Sequence, residues 1–166
     1  TLGMGWSWAL HFCHSILTRC MLLAAVQCGL SWSEAEGQLL VDHRAPPRLR
    51  PGRPILAPYV DNGNILAWDE QDAKLFGNAL GHVLDMFGLA YRVEASGLKR
   101  FDTIGMRLDM ERGIFTNKPD RVWRLRLALV ELVAQGHATG KVLRVVIGHV
   151  VFSIMVRREA LSVLQA

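Results

Sequence analysis

The sequence predicts an α+β fold in which small antiparallel sheets pack against helices. Apolar residues make up 51% of the 166-residue chain and charged residues 20%, which is the balance of a folded protein with a hydrophobic core. Stretches with apolar residues at helical spacing alternate with short apolar runs joined by turn residues. The predicted order of elements is helix, tether, hairpin, helix, strand, hairpin, helix, helix.

The first predicted element is a buried helix from Trp6 to Cys28, where the sequence is mainly apolar and contains no proline. Three side chains that can bind metals, His11, Cys13 and His14, lie within it. No second pair of ligands follows at the spacing of a zinc site, so we expect these three side chains to pack in the core.

Residues 29–58 form the predicted tether, because Ser, Glu, Arg and Pro replace the apolar residues there. The segment contains five of the six prolines, and its arginines make it basic. The prolines are Pro46, Pro47, Pro51, Pro54 and Pro58, and the arginines around them are Arg44, Arg48, Arg50 and Arg53.

A β-hairpin and an amphipathic helix are predicted next. The apolar runs Ile55–Val60 and Ile65–Trp68 flank Asp61-Asn62-Gly63-Asn64, which favours a tight turn. Asp69 then occupies an N-cap position, and Gly88 supplies a helix stop. We expect the apolar face of this helix to contain Leu75, Ala79, Val83 and Phe87.

The rest of the chain predicts a strand, a second hairpin and two helices. The strand is Leu89–Glu94, and the hairpin joins Phe101–Leu108 to Gly113–Thr116 through a turn at Asp109–Arg112. Proline suits the first turn of a helix, and glycine suits its end. One helix is therefore expected from Pro119 to Gly136 with an apolar face, and a last helix from Thr139 toward Leu164. The face is Val122, Leu125, Leu129 and Val133.

The charge gives an expectation about binding partners, and the cysteine content gives one about the cell compartment. The net charge is +4, mostly from arginine, whose planar guanidinium group suits phosphate, so a polyanionic partner is allowed without being required. Cys13, Cys20 and Cys28 are expected to be reduced core residues of an intracellular protein. Two apolar runs, Cys20–Leu30 and Val142–Val156, are shorter than the roughly 20 residues that span a membrane, so no membrane association is expected.

Several segments together resemble one known family. Tyr59-Val60-Asp61-Asn62 resembles the Tyr-x-Asp-Asp box of reverse transcriptases, in which a hairpin tip presents carboxylates to two magnesium ions in the polymerase palm. Upstream, Leu2-Gly3-Met4-Gly5-Trp6-Ser7-Trp8 resembles the Leu-Pro-x-Gly-Trp box that precedes a helix. Downstream, the helix Asp69–Phe87 resembles the palm helix, and Phe101–Leu108 resembles the Phe-x-x-x-Gly hairpin that grips the primer. The ordered succession is similar to a retroelement polymerase.

The resemblance implies a partial polymerase palm, an antiparallel sheet with packed helices, followed by a helical thumb segment. It divides the chain into four parts. Residues 1–28 contain the glycine box and palm helix, and residues 29–58 form the Pro/Arg-rich tether. Residues 59–116 form the palm with both hairpins, and residues 117–166 form the thumb-like segment.

The activity implied by the resemblance is template-directed DNA synthesis from an RNA template and a DNA primer, with deoxynucleotides and Mg²⁺. Two-metal phosphoryl transfer needs hard oxygen ligands, and Asp61 is the implied metal ligand and, with Asn62, the catalytic pair. The resemblance also implies that Gly5, Trp6, Ser7 and Tyr59 contact the nucleotide or the template. It implies that Gly105 and Met106 contact the primer end, and that the nucleic-acid backbone is contacted by Arg121, Arg124 and Arg126.

Departures from the family pattern indicate that this chain alone is inactive. Gly3 replaces the proline of the upstream box, and Asn62 replaces a second aspartate, which removes one negative charge from the metal site. The family carries a further metal-binding aspartate on a strand before the glycine box, where this sequence begins. We therefore expect a complete metal site only if a longer parent protein or a second chain provides that strand. Two alternatives remain. One is a non-catalytic remnant that binds nucleic acid or protein, and the other is a fragment that does not fold stably because its N-terminal helix and sheet expose apolar faces.

Overall fold

The computed structural model describes residues 8–94, 96–103 and 105–155. It divides the chain into two units, Thr1–Leu98 and Lys99–Ala166. The described parts contain helices and two small antiparallel sheets, so the predicted α+β class is confirmed.

The first unit is a pair of long helices with a hairpin beside them. Its elements are α1 (Ala9–Gln27), α2 (Trp32–Gly37), β1 (Ile55–Tyr59), β2 (Asn62–Leu66) and α3 (Glu70–Met86). Helix α1 packs against α3, and the hairpin packs against both. One hydrophobic core joins them, with Met21 of α1, Leu56 of β1 and Phe76 of α3 almost fully buried.

Helix α1 confirms the predicted apolar helix, although Trp6 and Ser7 lie outside the described residues. One side of α1 supplies Leu17, Cys20 and Met21 to the core. Among the described helices, α1 is long and apolar enough to cross a membrane, a property that it shares with core helices of globular proteins.

Helix α2 lies in the segment that the sequence analysis assigned to a tether. Ser31 and Glu34 form a capping box: the Ser31 Oγ accepts a hydrogen bond from the Glu34 N–H at 3.3 Å, and the Ser31 N–H donates to Glu34 Oε2 at 2.8 Å. Ala35 is buried, and Leu39 pairs in parallel with Leu56 of β1. The prediction of a tether was therefore wrong for this part, and the missed signal was the Ser-x-x-Glu pattern.

The β1–β2 hairpin is confirmed, but its turn lies earlier than predicted. Tyr59 pairs with Asn62, which leaves Val60 and Asp61 as a two-residue turn and places Gly63 inside β2. A Cβ atom on Gly63 would lie 3.4 Å from Leu17 Cδ1. The glycine that suggested the turn therefore allows β2 to approach α1 closely.

Helix α3 has the predicted ends. The Asp69 carboxylate accepts a hydrogen bond from the Asp72 N–H at 2.8 Å, and Gly88 follows with φ +64°. Its predicted face is partly wrong, because Leu75 and Phe87 are exposed. The buried side is rotated by about one residue and consists of Phe76, Leu80, Gly81, Val83 and Leu84.

The predicted strand Leu89–Glu94 does not form. A strand needs a partner for its backbone hydrogen bonds, and both sheets among the described residues are composed of other segments. The side chain of Tyr91 lies instead over Gly81 of α3, where a Cβ atom would be 2.6 Å from the Tyr91 hydroxyl oxygen.

The second unit contains a three-stranded antiparallel sheet and two helices. Its elements are β3 (Arg100–Thr103), β4 (Met106–Asp109), β5 (Ile114–Asn117), α4 (Pro119–Gln135) and α5 (Gly140–Ile154). The sheet order is β3-β4-β5. The predicted turn after Asp109 is confirmed, whereas the segment predicted as one strand is two strands separated at Gly105, whose φ is +76°.

The predicted ends of α4 and the predicted start of α5 are confirmed. Pro119 stands in the first turn of α4, Gly136 closes it with φ +67°, and the Thr139 hydroxyl caps α5 by accepting from the Val142 N–H at 3.3 Å. No side chain of α4 is buried, and Val146 is the buried side chain of the described part of α5. The predicted continuation of α5 to Leu164 lies outside the described residues.

Candidate functional site

The tip of the β1–β2 hairpin presents Asp61 and Asn62 to solvent side by side. Both residues are exposed, and the Asn62 side-chain amide donates a hydrogen bond to Asp61 Oδ1 at 3.2 Å. Tyr59 precedes them and is also exposed. The structure therefore brings together the residues that the family resemblance assigned to catalysis, and a two-residue turn holds their oxygen atoms at the end of a paired ladder.

Helix α1 contacts this tip through His14. The Val60 N–H donates a hydrogen bond to His14 Nδ1 at 3.3 Å, so this ring nitrogen acts as the acceptor. The Thr18 hydroxyl donates to the His14 carbonyl at 2.7 Å. The sequence predicted that His11 and His14 pack in the core, but both are exposed. The role of His14 was missed because a contact between residues 46 positions apart leaves no local pattern.

The backbone at the tip is unusual. Val60 has φ +55°, in the left-handed region that β-branched residues rarely adopt. Such a conformation costs about 1–3 kcal/mol and persists where the surrounding structure fixes it, which is frequent at functional sites. Here the paired strands and the His14 contact fix it, and the turn directs Asp61 outward.

The oxygen atoms available for a metal at the tip are few. Asp61 supplies one carboxylate, and the Asn62 carbonyl can supply a neutral oxygen. Mg²⁺ prefers octahedral oxygen coordination and keeps several waters when protein ligands are few. Within the described residues, no three His, Cys, Asp or Glu side chains are grouped so that they could hold a metal ion. The tip can thus contribute part of a Mg²⁺ site.

The residues assigned to the primer lie in the second unit, at the β3–β4 turn. Gly105 is closely covered: a Cβ atom there would lie 2.8 Å from Arg121 Nη1 and 3.0 Å from the Phe152 ring. Met106 is buried. A contact between this turn and a primer would therefore use its backbone, because neither residue presents a free side chain.

The arginines assigned to the nucleic-acid backbone do not share one side of α4. Residues three apart are neighbours on a helix, whereas residues five apart point to different sides. Arg121 and Arg124 are therefore adjacent, and Arg126 lies on another side. Arg121 is also engaged within the unit, with its guanidinium carbon 3.8 Å from the Phe152 ring centre and Nη2 3.3 Å from His149 Nδ1. Arg124 and Arg126 are exposed.

Cations of the second-unit sheet are paired with acids. Arg107 Nε donates to Asp102 Oδ1 at 3.0 Å, and Lys118 Nζ lies 3.4 Å from Asp102 Oδ2. The hydrogen bond from Arg107 lowers the pKa of the Asp102 carboxyl, with a further contribution from Lys118. Arg100 is paired as well, with its Nε 2.8 Å from Asp109 Oδ2.

The implied nucleotide and template residues Gly5, Trp6 and Ser7 lie outside the described residues. No protein-family model matches the chain, and comparison with curated proteins and with solved structures finds no significant similarity.

Proposed function

We propose that this chain is the palm and the beginning of the thumb of a reverse-transcriptase-like polymerase, and that it is inactive by itself. The observation that supports the proposal most is the exposed pair Asp61 and Asn62 on a two-residue turn next to α1 and α3. A rigid tip with an outward carboxylate is suited to hold Mg²⁺ against the phosphates of a nucleotide.

The proposed division of labour follows from the chemistry of each residue. Asp61 would bind Mg²⁺, and Asn62 would orient the Asp61 carboxylate through the 3.2 Å hydrogen bond while adding a neutral oxygen ligand. Mg²⁺, when bound, would neutralise the negative charge that develops on the transferred phosphoryl group. Tyr59 would border the nucleotide, and His14 would hold the turn through the Val60 N–H.

The test uses the longest open reading frame that encodes this chain. The purified product is given a primed RNA template, deoxynucleotides and Mg²⁺, and primer extension is measured. We expect template-dependent extension that is abolished in Asp61→Ala and retained in Asp85→Ala, which removes the same charge from an exposed position of α3. The 166-residue chain alone should give no extension.

Asn62→Asp sharpens this test because it adds a second carboxylate beside Asp61. The added charge should lower the Mg²⁺ concentration needed for half-maximal extension severalfold. Absence of extension by both the long wild-type product and Asn62→Asp would overturn the proposal of polymerase activity.

A second candidate is a non-catalytic remnant of such a polymerase that binds nucleic acid. The specific observation in its favour is the single carboxylate at the tip. It predicts that the long product binds a primed template with unchanged affinity in Asp61→Ala and never extends the primer.

A further inference from the structure

A loop between α2 and β1 carries arginines without acidic partners. We call residues 44–53 the basic loop. Arg44, Arg48 and Arg50 are exposed, and within the described residues none of the three has a carboxylate within 4.0 Å. This differs from the cations Arg100 and Arg107 of the second-unit sheet, which are paired with acids. The charge of the basic loop is therefore available to a ligand.

The C-terminal end of the basic loop is a tight turn fixed to α3. The Arg53 N–H donates a hydrogen bond to the Arg50 carbonyl at 3.0 Å, and Pro51 and Gly52 lie between them. Gly52 has φ +66°, which suits the third position of a type II turn. The Gly52 N–H donates to Asp72 Oδ2 at 2.7 Å, which ties the loop to the first turn of α3.

A second attachment joins the basic loop to α2. The Arg53 guanidinium donates to Glu34 Oε1. The Glu34 pKa is lowered to about 2, first by the hydrogen bond from the Ser31 backbone and then by Arg53. Arg53 is thus committed to a structural contact, and the three other arginines of the loop remain free to bind.

Proline limits the freedom of the loop before any ligand binds. Pro46 and Pro47 fix φ near −65° between Arg44 and Arg48, and Pro54, which is almost fully buried, fixes the exit. A stiff segment loses less conformational entropy on binding than a flexible one. The prolines therefore lower the entropic cost of binding through Arg44 and Arg48.

The basic loop lies at the opposite end of the hairpin from Asp61. It leads into β1 at Ile55, whereas the tip follows Tyr59, and a five-residue strand spans roughly 17 Å. Binding at the loop can therefore occur without the residues of the proposed metal site.

We propose that the basic loop binds the phosphate backbone of nucleic acid through Arg44, Arg48 and Arg50, without preference for base sequence. All cations of the loop are arginines, whose planar guanidinium groups match phosphate oxygens in bidentate fashion. Three unpaired guanidinium groups spread over residues 44–50 can contact separate phosphates of one strand, and phosphate contacts carry no information on base sequence. The proposal stands on the loop alone and does not depend on polymerase activity.

The test measures binding of the 166-residue chain to a short fluorescent single-stranded RNA, in the absence of divalent metal and nucleotides. The triple variant Arg44→Gln, Arg48→Gln, Arg50→Gln should bind about tenfold more weakly at about 50 mM salt, and the slope of log K against log salt should fall by about 2. The control triple variant Lys74→Gln, Arg92→Gln, Arg112→Gln loses the same net charge from exposed, paired positions and should stay within about twofold of wild type.

Three outcomes would overturn the proposal. The wild-type chain could fail to bind RNA, or the two triple variants could lose the same affinity, which would show that only net charge matters. The third is binding of the wild-type chain to vesicles containing phosphatidylserine, lost in the loop variant while RNA binding is unchanged, which would assign the loop to a membrane surface. Circular dichroism of each variant verifies that it is folded. Because metal and nucleotides are absent, failure here leaves the polymerase proposal intact.

Discussion

The two units of this protein have long helices of similar length but very different amounts of buried apolar surface. In the first unit, α1, α2, β1 and α3 share one core, in which Met21 and Phe76 are almost completely inaccessible. In the described part of the second unit, the buried side chains are Met106 and Val146. The comparison teaches that caps and helical spacing mark where helices begin and end, whereas a core requires elements that cover one another.

The exposed apolar side chains of the second unit are concentrated on its helices. They include Trp123, Leu127, Val130 and Val133 of α4, and Val142, Leu143, Val145 and Ile147 of α5. The alternative of an unstable fragment placed the exposed apolar surface on the first helix and sheet. Helix α1 does expose Leu10, Phe12 and Ile16, but its other side forms the core.

The largest expected difference between the units comes from removing one large side chain in each. Phe76→Ala should destabilise the first unit by about 3–5 kcal/mol, because Phe76 is 1% exposed and its removal leaves a cavity among α1 and α3. The matched change Phe115→Ala, at a residue that is 50% exposed on β5, should cost less than about 1 kcal/mol.

Urea unfolding combined with hydrogen exchange measures both effects, since exchange reports each unit separately. Amides of α1 and α3 should be the best protected in the chain and should lose protection in Phe76→Ala alone. Equal losses in the two variants would contradict the difference in burial.

A smaller effect is expected at the helix caps. Asp69→Ala removes the acceptor for the Asp72 N–H and should destabilise the first unit by about 1 kcal/mol. Thr139→Ala removes the corresponding acceptor for the Val142 N–H of α5. Because α5 has less tertiary packing, we expect its helix to fray, seen as faster exchange at its first turn, without a change in the protection of the first unit.

The smallest expected effect is on the stability of each unit at acidic pH. The Glu34 pKa is about 2, below its ordinary value of 4.5, so its contribution to stability is complete above pH 4.5 and is lost as the pH falls toward 2. Glu34→Gln should flatten the dependence of the urea midpoint on pH in this window. The Asp102 pKa is lowered too, chiefly by the hydrogen bond from Arg107, so Asp102→Asn should have the same direction of effect on the second unit. An unchanged pH profile in Glu34→Gln would refute this assignment.

The sequence located the ends of α3 and α4 because these depend on neighbouring residues. Asp69 caps α3, and Gly136 ends α4 in the left-handed conformation, as predicted from the residue types alone. The residue types also predicted the hairpin turn at Asp61–Asn64, with Gly63 as its glycine. In the structure, Val60 adopts the positive φ. Gly63 instead allows β2 to pack closely against α1 and α3, and these helices determine where β2 can lie.

The candidate site likewise has features that the sequence predicts and features that depend on the folded structure. The residue types Asp61 and Asn62 and their place at a hairpin tip could be predicted from the sequence, as could the basic character of the loop. The separation of Arg126 from Arg121 also follows from helical spacing. The contact of His14 with the turn and the burial of Met106 could not be predicted, because each depends on segments that are distant along the chain.

By itself, the sequence determined the class of fold, the positions of its long helices and the turn chemistry, since these follow from interactions within a few residues. Only the tertiary structure decided that Leu89–Glu94 would not become a strand, that α2 would pack against α1, and which cations remain unpaired. Strand pairing, burial and ion pairing are contacts between distant segments, so their free energies appear only when the chain has folded.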